Sequence, residues 1–433
     1  MYRQSRGEFM AASRYDNMLS NLGYEKLSQK VEALFYAWEK TDRIWMMPKD
    51  EWDWVKQALS LDEDTVIALD KSYHIIKNDE SLCEMLSFMQ YVYMIGAHVS
   101  EWLMQQPPHI KHDKLHSDTF QLMAVLSLIP LAKKDHQRRH IDETHMQFNL
   151  KHLKGYIKLI DPEHHIYGIH MYGWTLYLAS FGLIHLSSLH FMHHSYTDPF
   201  YFYQHRTTKK VIAVVKEGVQ VRKDGQLNGV NGYHDLWFVS TFEQTNTSVK
   251  GYAVHPSGFI TNQIVDLDLK VYDLVLQPGD VVIDFHIPSK SDYRVETFHQ
   301  TLQEGKAFYE KHYHEYHYKG FWCVSWLYSP QLNDIIEDQQ SRILQVAHQG
   351  YILPATPGAG SLYTFVFGTE QPDFETLEAK TSLQRAVKAY VLNQKTINAG
   401  CFIYLMDHLD RFGEKPYQTL ALRHKDLQIK NEE

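Results

Sequence analysis

The chain has 433 residues, of which 44% are hydrophobic and 22% charged, and this composition excludes a disordered or collagen-like protein. Its formal net charge of −9 argues against sequence-independent binding of nucleic acid, which requires a cationic face. The three cysteines are scattered, the apolar stretches are shorter than a membrane span, and no secretion signal is recognised. From these three features the sequence predicts a soluble, cytoplasmic protein without a membrane partner.

The hydrophobic periodicity before residue 205 is that of helices. Helices are predicted over residues 27–38 and 82–103, Asp142 is expected to cap another, and a last helix is predicted over residues 171–193. No strand-like alternation of useful length is evident in this half. Residues 1–205 are therefore predicted to form an all-helical N-terminal domain.

After residue 205 the apolar side chains follow the period of strands, and then of strands and helices in turn. A hairpin is predicted over residues 211–222, and a turn at residues 278–280 is expected to begin a strand over residues 281–287. Further predicted elements are a helix at 295–309, a strand at 320–328, a helix at 332–347, strands at 351–354 and 362–367, and a helix capped by Thr381 and Gln384. Residues 206–433 are therefore predicted to form a mixed α/β domain, and the fold class of the chain is α+β.

The predicted strand at residues 281–287 carries the first candidate for chemistry. Side chains alternate between the two faces of a strand, so Asp284 and His286 are expected on one face with their Cα atoms roughly 7 Å apart. A carboxylate beside an imidazole can orient the ring and raise its basicity, which suits a general base. From the spacing alone a structural interpretation stays open, in which Asp284 fixes a turn and His286 packs under a helix.

The order of elements after residue 280 and four sequence blocks carry a resemblance to a known family. Strand, loop, helix, strand, helix, strand is the succession that closes the GNAT acetyltransferase fold. The blocks DFHIPS, FWCVSWLYSP, LYTFVFG and TSLQRA, which begin at residues 284, 321, 362 and 381, resemble a bacterial family of acyltransferase domain-containing proteins. That family has a helical N-acyltransferase-type N-terminal domain and a GNAT-like C-terminal domain. The resemblance spans about residues 110–395.

The resemblance implies acyl-CoA as the co-substrate, held where the fourth GNAT strand ends and the next helix begins. In that fold, free backbone N–H groups at the helix start bind the pyrophosphate of coenzyme A. The cofactor-binding residues implied here are Ile287, Ser289, Lys290, Ser291 and Arg294. This chain departs from the family pattern because it has no glycine between Pro288 and Val295.

The activity implied by the resemblance is that of an acyl-CoA-dependent N- or O-acyltransferase acting on a small-molecule acceptor. His286 is the predicted base, oriented by Asp284, and Ser325 and Tyr328 are candidate acids for the leaving thiolate. The alternative is a non-catalytic, GNAT-like protein that binds a ligand or a partner, which the missing glycines favour. The histidines at 312–317 follow a predicted helix, whose dipole explains them, so no metal site is predicted.

Overall fold

The computed structural model describes residues 14–21, 29–41, 47–94, 107 and 109–417. The chain forms two compact units, Met1–Ile184 and His185–Glu433. In the described residues the first unit is mainly helical, and the second is built on two six-stranded sheets. None of the described helices is both long and apolar enough to cross a bilayer.

The first unit confirms the predicted helical character. Its helices are α1 (Arg14–Asn21), α2 (Gln29–Glu39), α3 (Lys49–Ala58), α4 (Glu63–Lys77), α5 (Glu80–Met94), α6 (Ser117–Leu126), α7 (Ile129–Arg138), α8 (Glu143–Lys154) and α9 (Tyr172–Ala179). Every residue of α6 from Thr119 to Leu126 is buried, as expected for a helix that is apolar on all sides. Asp142 caps α8 as predicted, because its carboxylate accepts the N–H of Thr144 at 2.9 Å. The part of the predicted helix at residues 95–103 lies outside the described residues.

The first unit also contains strands, so the prediction that it has none is wrong. Two strands, β1 (Ile157–Asp161) and β2 (Ile166–Ile169), form an antiparallel hairpin after α8. Each strand has only four or five residues and neither alternates regularly between apolar and polar residues, so the sequence does not indicate them.

The helix predicted over residues 171–193 is wrong beyond Ala179. Phe181 has a φ of 52°, which an α-helix of L-residues does not tolerate. The chain continues instead as β3 (Ile184–Leu186) and β4 (Leu189–Ser195), and the sequence of β4 has no regular alternation of apolar and polar residues.

The two compact units divide between Ile184 and His185, whereas the sequence predicts a domain boundary after residue 205. The difference arises because β4 and the next strand, β5 (Phe200–His205), belong to the sheets of the second unit. Both strands form their hydrogen bonds with other strands of these sheets. They therefore belong with the second unit and not with the preceding helices.

The second unit contains two six-stranded sheets and a two-stranded sheet. Besides β3 to β5, the strands are β6 (Val211–Val215), β7 (Gln220–Arg222), β8 (Leu236–Val239), β9 (Phe242–Gln244), β10 (Ser248–His255), β11 (Phe259–Asp268), β12 (Tyr272–Leu276), β13 (Val281–His286), β14 (Gly320–Ser325), β15 (Tyr351–Pro354) and β16 (Gly400–Leu405). The first sheet has the order β15-β16-β14-β13-β4-β3, and the second has the order β11-β10-β6-β5-β12, with β9 also paired to β10. The helices are α10 (Val295–His312), α11 (Leu332–Ile335), α12 (Arg342–Ala347), α13 (Gly360–Phe367) and α14 (Ser382–Leu392), with 3-10 segments at Val230–Gly232, Trp326–Tyr328 and Met406–Arg411.

The mixed α/β character of this half is confirmed, with corrections of detail. The hairpin predicted over residues 211–222 does not form, because β6 pairs with β5 and β10 while β7 pairs with β8. The strand predicted at 362–367 is the helix α13, since a short apolar run has no period that separates helix from strand. The capping box of Thr381 and Gln384 is confirmed at the start of α14.

The first sheet has one face packed on α10 and one face that carries polar side chains. Phe285 of β13 meets Phe298 of α10 with ring centroids 5.4 Å apart. Gly305 lets α10 approach the sheet, because a Cβ there would stand 2.9 Å from the ring of Phe191. Paired residues of neighbouring strands share a face, so the strand register defines the other side, which we call the histidine face. Its members are His190, Met192, His194, Val282, Asp284, His286, Trp322, Val324, Cys401 and Ile403.

Candidate active site

The parallel strands β13 and β14 are paired at only two positions each. Their register joins Ile283 to Phe321 and Asp284 to Trp322, although β13 continues to His286 and β14 to Ser325. On its other side, β13 is paired with β4 over its full length. Beyond Asp284 and Trp322 the two parallel strands are not paired in this ladder, and we call this unpaired stretch, which lies beside His286, the gap.

Asp284 and His286 lie together on the histidine face at the edge of this gap. The Nε2 atom of His286 is 3.4 Å from Oδ2 of Asp284. Asp284 is buried, with 4% of its surface exposed, whereas 40% of the His286 side chain is exposed. Among the described residues, Oδ1 of Asp284 has no hydrogen-bond partner. The structure thus joins a buried carboxylate to an imidazole whose Nε2 is buried, although part of the side chain is exposed.

The electrostatics of the pair favour the charged imidazole. Burial by itself lowers the pKa of His286, because it disfavours the cation. The carboxylate of Asp284 opposes this effect, and the net result is that the pKa of His286 is raised above its usual value. A raised pKa makes the neutral ring a stronger proton acceptor.

This geometry predicts how His286 titrates. The NMR titration of its ring should have a midpoint above about pH 6.5, and Asp284→Asn should lower that midpoint, because burial remains while the carboxylate charge is lost. Since the folded pKa is raised, the stabilisation by the ion pair is complete below about pH 6.5 and is lost as the pH rises through the folded pKa. Asp266→Asn, on β11 in the other sheet, is the control and should leave the midpoint unchanged. An unchanged midpoint in Asp284→Asn would contradict the electrostatic coupling.

Further histidines line the same face. His190 of β4 is the cross-strand partner of His286, and its ring centroid is 5.0 Å from that of His185. His194 stacks on Trp322 with centroids 4.6 Å apart. Among the described residues, no group of three or more His, Cys, Asp and Glu side chains is arranged to hold a metal ion. These neighbours lie on β4, a segment for which the sequence predicts a helix, so His190, Met192 and His194 are not expected on one face.

The half-buried carboxylate of Asp198 holds Trp322, the cross-strand partner of Asp284, in place. Asp198 accepts a hydrogen bond from Nε1 of Trp322 at 2.6 Å and one from the thiol of Cys401 at 3.3 Å, both at Oδ2. Burial raises the pKa of Asp198, and these two donors lower it in part. Asp198 lies between β4 and β5, where no sequence pattern pointed to a functional residue.

The candidate acids Ser325 and Tyr328 lie away from the histidine face. Ser325 is paired with Gly400 and shares the opposite face of β14 with Cys323, and its hydroxyl accepts the N–H of Leu327 at 3.2 Å. Tyr328 is buried, and its hydroxyl accepts a hydrogen bond from Tyr293 at 3.0 Å. Burial raises the pKa of Tyr328 well above 10. The structure therefore does not bring either residue to His286.

Two of the predicted cofactor-binding side chains are engaged within the loop itself. The hydroxyl of Ser291 is bonded to the carbonyl oxygens of Pro288 at 2.7 Å and Ser188 at 2.8 Å. Arg294 donates from Nε to both carboxylate oxygens of Asp292 at 2.9 Å, and this contact holds the pKa of Asp292 well below its usual range. Neither side chain is therefore free of a competing partner.

The rest of the loop is more open. Ser289 and Lys290 are exposed, and Ile287 is half-buried where β13 ends. Lys290 has a φ of 72°, a conformation that favours glycine. The first residues of α10 follow Arg294, whose side chain does not cap the helix. The N–H groups of the first helical turn have no partner within the helix, which favours an anion, while Asp292 and Glu296 already place two carboxylates at this end.

Comparison with known proteins identifies the second unit. Residues 183–403 match the family model described as the GNAT-like C-terminal domain. A solved acyltransferase mutant in complex with octanoyl-CoA is 14% identical, with 90% of this chain and 98% of that chain covered and a TM-score of 0.49. A solved acyltransferase in complex with CoA and 10C-teicoplanin is also 14% identical, with 90% and 99% covered and a TM-score of 0.48. A search among curated proteins finds no match to this chain.

Proposed function

The chain belongs to the family described as the GNAT-like C-terminal domain, and from this membership we propose that it transfers an acyl group from acyl-CoA to a small-molecule acceptor. The observation that carries the proposal is the gap between β13 and β14, with His286 at its edge. A gap between parallel strands provides unpaired backbone groups that can bind a thioester and its carbonyl oxygen. The acceptor atom is a nitrogen or an oxygen.

The residues around the gap fit an acyl-CoA molecule. The N–H groups at the start of α10 suit its pyrophosphate, and the exposed ammonium of Lys290 adds a positive charge beside them. Ser289 and the backbone of Ile287 lie between the end of β13 and the start of the helix, and we assign them to the same binding site. Arg294 contributes less than the sequence predicts, because Asp292 already neutralises it.

The proposed reaction needs one proton carrier. Nε2 of His286 faces Asp284, which acts as a positioning residue, and Nδ1 accepts the proton of the acceptor N–H or O–H. The acceptor atom then forms a bond to the thioester carbonyl carbon as the carbon–sulfur bond breaks. The imidazolium returns its proton to the leaving thiolate, so that His286 ends neutral. The roles predicted for Ser325 and Tyr328 remain predictions.

Binding of acyl-CoA to the full chain tests the proposal. Acetyl-CoA or octanoyl-CoA at 100 times its dissociation constant should stabilise the protein by about 2.7 kcal/mol in a thermal unfolding experiment. Lys290→Gln should weaken this binding, because it removes a charge beside the proposed pyrophosphate site. The matched control is Lys270→Gln. Lys270 is exposed in the loop between β11 and β12, so its replacement should leave acyl-CoA binding unchanged. Absence of stabilisation by both acyl-CoAs would contradict the proposal.

The second candidate is a GNAT-like protein that binds a ligand without catalysis. The glycine-free loop and the Arg294–Asp292 pair favour it, because both reduce the capacity to hold a pyrophosphate. The two functions differ in their product. An acyltransferase releases free CoA thiol faster when amines or alcohols are added. A protein that only binds acyl-CoA is also stabilised by it, but it releases no more CoA thiol than acyl-CoA hydrolysis alone produces.

A further inference from the structure

A cavity in this unit is lined by residues of β6, β10 and β11 in the second sheet and by Tyr351 of β15 in the first sheet, and His286 is not among its described lining residues. Its volume is about 560 Å³. It opens where β6 and β10 cease to pair: their register covers only Ala213 with Val254 and Val214 with Ala253, although β6 begins at Val211. The segment that runs from Arg411 to Tyr417 contributes another wall.

The charged side chains around this cavity are all basic. Lys209, Lys210 and Arg411 line it together with His255, and none of the described residues that line it is acidic. This is unexpected in a chain with 52 acidic residues and a net charge of −9. Such a local excess of positive charge attracts anions.

Two of these cations stand on a rigid turn. The backbone of His205 donates to the carbonyl of Lys210 and accepts from the N–H of Lys209, both at 2.9 Å. Nδ1 of His205 also accepts the N–H groups of Thr207 and Thr208 at 3.2 Å. Within the described part of the chain, neither lysine forms an ion pair. The turn therefore presents two ammonium groups outside any ion pair, with Asp273 as the carboxylate that interacts with Lys209.

The third cation stands on the opposite wall and is partly neutralised. Nε of Arg411 is 3.2 Å from a carboxylate oxygen of Glu414. The positive field nevertheless reaches a neighbouring ring, His408. Burial is the main cause that lowers the pKa of His408 to about 4, Arg411 and Lys209 lower it further, and Asp407 opposes them. One cation from each wall therefore acts on this ring.

The floor of the cavity is apolar and aromatic. Tyr351 and Tyr417 lie with ring centroids 5.8 Å apart, and their hydroxyl groups are held by the backbone. The hydroxyl of Tyr351 accepts the N–H of Ala213 at 3.1 Å, and that of Tyr417 accepts the N–H of Leu405 at 2.9 Å. The remaining apolar lining residues are Val211, Ile212, Ala253, Val254, Pro256, Val265 and Pro416. A ligand with an apolar body would cover this floor.

We propose that this cavity binds a small anionic molecule that joins a phosphate or carboxylate group to an apolar body. The anionic group contacts Lys209 and Lys210, and the body packs on the half-buried side chains of Ile212, Val265 and Pro416. The volume is within the range of small-molecule sites. This site is distinct from the one proposed for acyl-CoA, whose loop runs from Ile287 to Arg294.

Isothermal titration calorimetry with three probes tests the proposal on the full chain. The probes are inorganic pyrophosphate, octanoate and adenosine monophosphate, which present a phosphate alone, a carboxylate on an aliphatic body and a phosphate on an aromatic body. At least one of the two probes with a body should bind more tightly than pyrophosphate. Binding should weaken as the salt concentration rises from about 0.05 to 0.3 M, because salt screens the lysines.

Variants separate this site from the rest of the surface. The double change Lys209→Gln and Lys210→Gln should weaken binding at least tenfold, whereas Lys216→Gln, an exposed lysine beyond the other end of β6, should leave it unchanged. Lys290→Gln, at the proposed acyl-CoA site, should also leave it unchanged. The proposal is wrong if no probe binds, if Lys216→Gln weakens binding equally, or if the double variant loses acyl-CoA affinity in parallel. That last outcome would make the cavity part of the acyl-CoA site. If the unchanged chain instead binds the probes but does not bind acyl-CoA, only the proposed function is contradicted.

Discussion

Replacing His286 with Gln is expected to lower the turnover number of acyl transfer by roughly 10²–10⁴-fold, the usual contribution of a general base. The amide is similar in size to the imidazole but cannot take a proton from the acceptor. Its contact with the buried Asp284 can remain, so the fold should be retained. The measurement is the rate of CoA thiol release with an amine or alcohol acceptor, together with the affinity for acyl-CoA by calorimetry. We expect the rate to fall and the affinity to change little, which is the pattern of a group that acts in the chemical step.

The matched control for this variant is His314→Gln. His314 is exposed and follows α10, so its replacement removes a histidine without touching the gap. It should retain the rate of the unchanged chain. A His286→Gln variant that is as active as His314→Gln would show that His286 is not the base, and the structural interpretation of the pair would then stand.

Replacing Phe402 with Ala is expected to lower the free energy of unfolding by about 3–5 kcal/mol, the usual cost of removing a buried aromatic side chain. Phe402 is fully buried in β16, on the face of the first sheet that packs on α10. The loss combines the transfer of the ring with the cavity that it leaves and with its aromatic contacts. These are with Phe285, Phe298, Tyr328 and Tyr404, at centroid distances of 5.7, 6.1, 4.7 and 6.3 Å.

Phe365→Ala is the control for that experiment, because Phe365 is 71% exposed on α13. A surface substitution of this kind should change the free energy of unfolding by no more than about 0.5 kcal/mol. Urea unfolding followed by circular dichroism compares the two variants, with the transition of the second unit fitted separately if the units unfold in two steps. Equal midpoints for the two variants would mean that the sheet and α10 do not pack as described.

The part of the fold that could be predicted from the sequence is the part in which local signals agree. The turn before β13, the strand itself, and the helix α10 were all predicted, because a turn, an alternating run and an amphipathic run follow one another. The prediction was wrong for β4 and for α13, where the apolar content is high and the local period ambiguous. In such segments the partner strand or the packing surface decides between helix and strand.

The candidate site was predictable to the same extent. Asp284 and His286 are two residues apart, so the period of a strand is sufficient to place them on one face, and they are in contact in the structure. The neighbours His190, Asp198 and Trp322 come from other segments, and no local pattern relates them to Asp284.

By itself, the sequence determined the α+β class, the elements around β13 and the pairing of a carboxylate with an imidazole, because each of these depends on residues that are close along the chain. Only the tertiary structure decided that β4 and not a helix flanks His286, that β14 separates from β13, and that basic residues from distant segments line a cavity in the second sheet. The physical reason is that strand pairing and cavity walls join residues far apart in sequence. Their free energy comes from contacts that form only when the chain has folded, and no local period records them.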